Sequence, residues 1–204
     1  MVTLCVDAPS DGHEIFVKMD FAVSRQVSAY VQFRDETKGR NLVDNESIDG
    51  SHLDELQPYR RTSLRAHLSY AASPEFDLRS RIELVRFKDD AVSNGFMIYQ
   101  DVIWKPAKSR LRIQGRLAIF DTRDFDSRIY AYENDVLYAF SVPAYYSKGM
   151  RFYVNAMYPI TRKVTLWLRY GRMYFADRNI VGSGLDEIQG SSRSELKVQL
   201  RVKF

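Results

Sequence analysis

Cysteine is almost missing from this chain. Cys5 stands alone among 204 residues, which excludes an intrachain disulfide framework and leaves a buried or tolerated thiol as the plain reading. Long apolar runs are missing too. Mean hydropathy is -0.35, and no window approaches the roughly 20 apolar residues that a helical span requires, so spanning helices are excluded. The 3 histidines, His13, His52 and His67, fall at no spacing that suits zinc. Neither sign of charge dominates: 30 Lys and Arg stand against 26 Asp and Glu, spread along the chain without a nucleic-acid patch. Gly182-Ser183-Gly184 is followed by no Lys-Ser/Thr pair, which excludes a phosphate loop. The amino end carries no basic start ahead of an apolar run, hence no visible signal peptide.

What the chain does contain is aromatic side chains and a period of two. There are 13 Tyr, 12 Phe and 2 Trp. In the last stretch, Leu196, Val198, Leu200, Val202 and Phe204 share one face while Lys197, Gln199, Arg201 and Lys203 share the other. That alternation is the mark of an amphipathic strand. It recurs at Ile15 to Val23, Val27 to Phe33, Leu64 to Tyr70, Leu78 to Leu84, Arg110 to Phe120, Phe152 to Ile160 and Val164 to Tyr170. Phe96 to Lys105 fits less well, because Gln100 and Asp101 blur the register. Two stretches lose the period: 35–59, read as a long acidic loop, and 121–149, read as an excursion rich in Tyr and Asp. Met1 to Val6 reads as a short strand of uncertain pairing.

Short turns at Ser24, Pro74, Pro106 and Arg162 alternate with longer polar connections at 35–59, 89–95, 121–149 and 175–192. Short turns on one side and long loops on the other are the asymmetry of outer-membrane barrels, which a sandwich has no reason to enforce. Phe21, Tyr70, Phe76, Trp104, Tyr158 and Phe204 all fall near the short-turn side, as an interfacial aromatic girdle would. The expectation is therefore an all-β chain, one domain over 1–204, folded as an antiparallel up-and-down transmembrane β-barrel. About nine to ten strands are visible. Closed bacterial barrels have even numbers, so three readings stand: a strand at Met1 to Val6, a hidden crossing in 121–149, or the carboxy-terminal piece of a larger barrel. The missing signal peptide favours the piece.

The last strand resembles the terminal strand of bacterial outer-membrane β-barrels. The resemblance implies that Leu196, Val198, Leu200, Val202 and Phe204 form an assembly signal read by the barrel-assembly machinery. A second resemblance rests on Gly95-Phe96, Tyr99-Gln100-Asp101, Phe120-Asp121-Thr122, Ser127-Arg128-Ile129-Tyr130, Tyr132-Glu133-Asn134-Asp135, Gly149-Met150-Arg151-Phe152-Tyr153 and Gly182-Ser183-Gly184. Over about the last half of the chain these motifs resemble the carboxy-terminal barrel of Bacteroidota envelope proteins with amino-terminal helix-hairpin-helix repeats. The helix-hairpin-helix part is absent from these residues, so no DNA-related role carries over.

The alternation nominates lumen-lining side chains: Arg65, His67, Arg79, Arg81, Glu83, Arg112, Arg116, Arg169, Lys197 and Arg201. A basic lumen could select anions, with inward Asp20, Glu83 and Asp101 pairing across strands by default. His67 and Ser69 share that face, as an esterase acting on lipid would need, but lumen lining is the simpler reading. Asp44 to Glu55 faintly suggests calcium ligands and lacks the terminal bidentate Glu. The sequence thus points to a non-catalytic membrane scaffold or pore in the outer membrane of a Gram-negative bacterium. Its expected partners are outer-membrane lipid and the assembly machinery, with no cofactor, metal or nucleic acid. Two alternatives remain: a soluble antiparallel barrel or sandwich binding an apolar ligand, and a lipid-acting barrel enzyme.

Overall fold

The computed structural model describes residues 11–41, 56–182 and 184–204. Six long strands follow one another: β1 (His13–Ala22), β2 (Val27–Asn41), β3 (Leu56–Ala71), β4 (Phe76–Lys88), β5 (Val92–Trp104) and β6 (Arg112–Thr122). Two short ones, β7 (Ile129–Tyr130) and β8 (Ala144–Tyr145), pair with each other, and β9 (Lys148–Pro159) and β10 (Val164–Phe175) resume the long run. After another short pair, β11 (Ile180–Val181) and β12 (Ile188–Gln189), the fold ends on β13 (Ser192–Val202). The long strands form a single 9-stranded sheet in the order β1-β2-β3-β4-β5-β6-β9-β10-β13, antiparallel at every step.

Three of the short turns use one device. Ser24 Oγ accepts hydrogen bonds from the backbone N–H of Gln26 and Val27, Ser73 Oγ from Glu75 and Phe76, and Thr161 Oγ1 from Lys163 and Val164. A hydroxyl at the first turn position mimics a further turn of backbone and locks each hairpin register. The opposite end differs from expectation. β2 runs on to Asn41 and β3 starts at Leu56, and β5 begins at Val92 after a turn of only a few residues. The periodicity hides there because both faces are polar: outward Asp35 accepts from Arg60 Nε at 2.9 Å and Thr62 Oγ1 at 2.6 Å across the ladder. Asp44 to Glu55 and Met1 to Val6 lie outside the described residues.

The expected all-β, up-and-down antiparallel order holds, but the sheet is not closed among the described residues. β1 pairs only with β2 and β13 only with β10, so both are edges. The excursion at 121–149 hides no further crossing. β6 pairs directly with β9 from Arg112↔Met157 to Asp121↔Lys148, and the intervening chain turns onto one face of the sheet.

Burial separates the two faces of the sheet. On one face Ile82, Leu84, Ile98, Leu117, Val154 and Leu168 are each more than 40% exposed, while Arg81, Glu83, Asp101, Arg116 and Arg169 on the other are buried. The outward apolar band is bounded at the long-connection end by Arg86, Asp121 and Arg172. At the short-turn end Phe76 and Trp104 stack at 6.0 Å. One polar pair sits in the band, and it satisfies itself: Ser80 Oγ donates to Gln100 at 2.5 Å, and the Gln100 amide donates to the backbone carbonyls of Arg79 and Asp101.

Candidate functional site: a charged concave face filled by its own chain

Antiparallel register sets opposite charges beside one another on the inner face. Arg65 faces Glu83 and donates to it at 2.9 Å, with Arg81 on the same carboxylate from its own strand. Asp101 faces Arg116, which grips it with Nε at 2.6 Å and Nη2 at 2.8 Å while lying 3.6 Å from the centroid of the Tyr99 ring. Such bidentate, desolvated pairs are the strong class of charge-assisted hydrogen bonds. The expected cross-strand pairing of Glu83 and Asp101 is therefore seen; Asp20 instead pairs along its own strand with Lys18 at 2.7 Å.

The segment 123–147 lies against this face. It enters at the long-connection end, where the Gly95 Cα leaves room for the Ser127 carbonyl: a Cβ there would sit 2.6 Å from that oxygen. Ile129, Ala131 and Tyr145 pack into a buried cluster with Val85, Met97, Tyr99, Ala118 and Phe120 of the wall. Phe120 meets Tyr145 edge-on at 5.4 Å.

Arginines of the wall then hold the segment by its backbone. Arg61 donates to the carbonyls of Asp126 at 2.9 Å and Arg128 at 2.5 Å, Arg81 to Tyr130 at 3.3 Å, Arg116 to Tyr132 at 2.7 Å and Arg169 to Asn134 at 3.2 Å. The carbonyls of Tyr130 and Asn134 are separated by at most about 14 Å of chain, yet the strands gripping them, β4 and β10, are four ladder spacings apart, about 19 Å. The gripping side chains converge, so this is the concave face.

Two carboxylates of the segment complete the fit. Glu133 is fully buried and accepts from Arg151 Nε at 2.6 Å, Arg169 Nη2 at 2.5 Å and the Tyr145 hydroxyl at 2.7 Å. Burial, with the Glu133 charge behind it, pushes the Tyr145 phenol well up, which keeps it a proton donor to that carboxylate. Asp135 accepts from Lys197 at 2.5 Å, and its carbonyl takes the Asn155 amide at 2.9 Å. Farther down, Leu137, Tyr138 and Ala139 share a cavity with Arg112, Met157 and Trp167 near the short-turn end. The segment thus runs nearly the height of the wall before returning.

All ten nominated inner residues lie on one face, in different settings. Arg81, Glu83, Arg116 and Arg169 are buried; Arg65, His67, Arg112, Lys197 and Arg201 are half-buried; Arg79 is exposed. Arg201 lies over Trp167 at 5.2 Å. Arg61, Arg151 and Glu133 were missed as contacts, although the period of two continued through Arg151 would have placed it inward. Leu196, Val198, Leu200 and Val202 lie outward and exposed on β13, with Phe204 just beyond it.

His67 Nε2 lies 3.2 Å from Ser69 Oγ, and its ring stacks on Tyr30 at 5.0 Å. Among the described residues its Nδ1 has no hydrogen-bond partner, so none of their carboxylates orients the imidazole as a nucleophile-activating base requires. Among the described residues no group of His, Cys, Asp and Glu could hold a metal ion, and no helix is long and apolar enough to cross a membrane, which says nothing of strands. No protein-family model and no curated protein matches the chain.

Proposed function

We propose that this chain is the wall of an outer-membrane β-barrel whose interior is filled, over β4 to β13, by its own 123–147 segment, and that it serves as a membrane scaffold rather than an open conduit along that wall. One observation carries the reading: along β4, β5, β6, β9 and β10 apolar side chains such as Ile82, Ile98, Leu117, Val154 and Leu168 stand exposed on the outward face, while Arg81, Glu83, Asp101, Arg116 and Arg169 are buried on the inward one. An apolar side chain of this size gains roughly 1.5–3 kcal/mol on leaving water, and a continuous apolar face of this extent calls for lipid or a partner surface. Alternating lipid-facing and interior-facing residues give the expected pattern of a membrane barrel strand. Since lipid does not tolerate open sheet edges, β1 and β13 must be paired in the assembled protein. The alternation of exposed Leu196, Val198, Leu200 and Val202 on β13 supports recognition by the barrel-assembly machinery, and the likeness of the last half to Bacteroidota envelope barrels supports an outer-membrane location.

The soluble alternative asks for an apolar interior, whereas the interior here holds buried ion pairs beside its apolar cluster, and the larger apolar face is the exposed one. The test is gel mobility with and without heating for the chain refolded in detergent, beside circular dichroism in plain buffer. A compact, heat-sensitive band that requires detergent is expected. A monodisperse β-rich protein in buffer would overturn the reading.

A further inference from the structure

Beside the filled part of the concave face lies a cavity of about 510 Å³ walled by β2, β3, the end of β4 and the entering segment at Asp126 to Tyr130. Six cations line it, Arg34, Lys38, Arg40, Arg61, Arg65 and Arg128, against three carboxylates, Glu36, Glu83 and Asp126. Each carboxylate has cations at ion-pair distance: Glu36 bridges Arg34 and Lys38 at 3.0 Å each, Asp126 meets Arg40 at 3.0 Å and Arg128 at 3.8 Å, and Glu83 meets Arg65 at 2.9 Å. Arg61 has no carboxylate at ion-pair distance among the described residues, although Glu36 faces it across the ladder. Its two backbone acceptors hold the guanidinium in place without neutralising it. Arg34, ion-paired through Nη2 with Glu14 at 2.9 Å, adds a buried Nε–H with no hydrogen-bond partner among the described residues. The contrast with the filled part is direct, since Arg116, Arg151, Arg169 and Lys197 each have a carboxylate there.

We infer that this cavity binds a small organic phosphate. A fixed guanidinium without an ion-pair partner, in a wall that also carries an unpaired N–H, suits an oxyanion that can accept several hydrogen bonds at once. The wall is not only charged. Tyr59, half-buried and backed by the buried Phe87 at 5.2 Å, adds an aromatic side chain to the wall, and the volume is that of a small-molecule site. The inference rests on the reading of this face as the barrel interior, which puts the ligand on the aqueous side rather than among lipid headgroups.

The experiment is calorimetric titration of the full chain, refolded in detergent, with glucose 6-phosphate and with glucose. Binding of the phosphate ester alone is expected, weakening as sodium chloride rises. Arg61→Gln should weaken it at least about tenfold, and Lys38→Gln, which touches no part of the 123–147 segment, several-fold at unchanged heat-sensitive mobility. Arg172→Gln, on the outward face of β10, should leave it unchanged. Equal binding of glucose, an unaltered affinity in both cavity variants, or no binding by a chain with the heat-sensitive band would overturn the site. Binding of phosphatidylglycerol in mixed micelles without binding of glucose 6-phosphate would also overturn it, in favour of a headgroup. If the chain proves soluble without detergent, the membrane reading falls, and the same titration in buffer still decides the site.

Discussion

β1 and β10 have the same period of two and opposite surroundings. Both faces of β1 are exposed over all ten residues, from His13 to Ala22, whereas β10 buries every second residue from Thr165 to Phe175. Strand pattern alone therefore does not decide stability; what covers the inner face does. β10 is covered because Arg169 and its neighbours find Glu133, Glu195 and Asn134, while on the inner face of β1 Phe16, Lys18 and Asp20 stay exposed, with Lys18 pairing to Asp20 and lying over Tyr30 of β2.

The sharpest way to break that contrast is to remove the cation at its centre. Arg169→Met should cost about 3–5 kcal/mol, because it strands the buried Glu133 carboxylate with one cation fewer; urea unfolding of the detergent-refolded chain reads it. A smaller loss is expected from Gly95→Val, whose Cβ would meet the Ser127 carbonyl 2.6 Å away and push the segment off the wall. Overpacking of this kind costs about 1–3 kcal/mol, and faster hydrogen exchange in 126–135 than in β4 would locate the damage. Smallest of all, Phe16→Ser on the uncovered inner face of β1 should change stability by no more than about 0.5 kcal/mol. If Phe16→Ser matched Arg169→Met, the two regions would be equally packed and the contrast would fail.

The strands were legible because exposed apolar and inward-facing residues alternate so strictly that Leu117 and Ile119 read as one face and Arg116 and Ala118 as the other. Even the blurred strand resolves once its partners are known. Asp101 turns inward to Arg116, and Gln100 turns outward to Ser80. The extension of β2 and β3 beyond Phe33 was not legible, because Asp35, Glu36, Arg60 and Arg61 carry charge on both faces and leave hydropathy nothing to alternate. Nor was the inner packing of 123–147. Its grip is on backbone carbonyls of Tyr130, Tyr132 and Asn134, which every residue possesses and no composition reveals. The one signal was the pair of acids Glu133 and Asp135 amid aromatics, opposite a wall with excess arginine.

The central claim is that the apolar outward face meets lipid. It is tested most directly by a fluorophore on a single cysteine at Leu68→Cys or Ser69→Cys, neighbours on opposite faces of β3, in a Cys5→Ser background reconstituted with lipids brominated along the acyl chain. Contact quenching falls off within a few ångströms, so adjacent positions separate cleanly. Strong quenching at position 68 with little at 69 is expected. Equal quenching at both, or none at 68, would contradict the lipid-facing account.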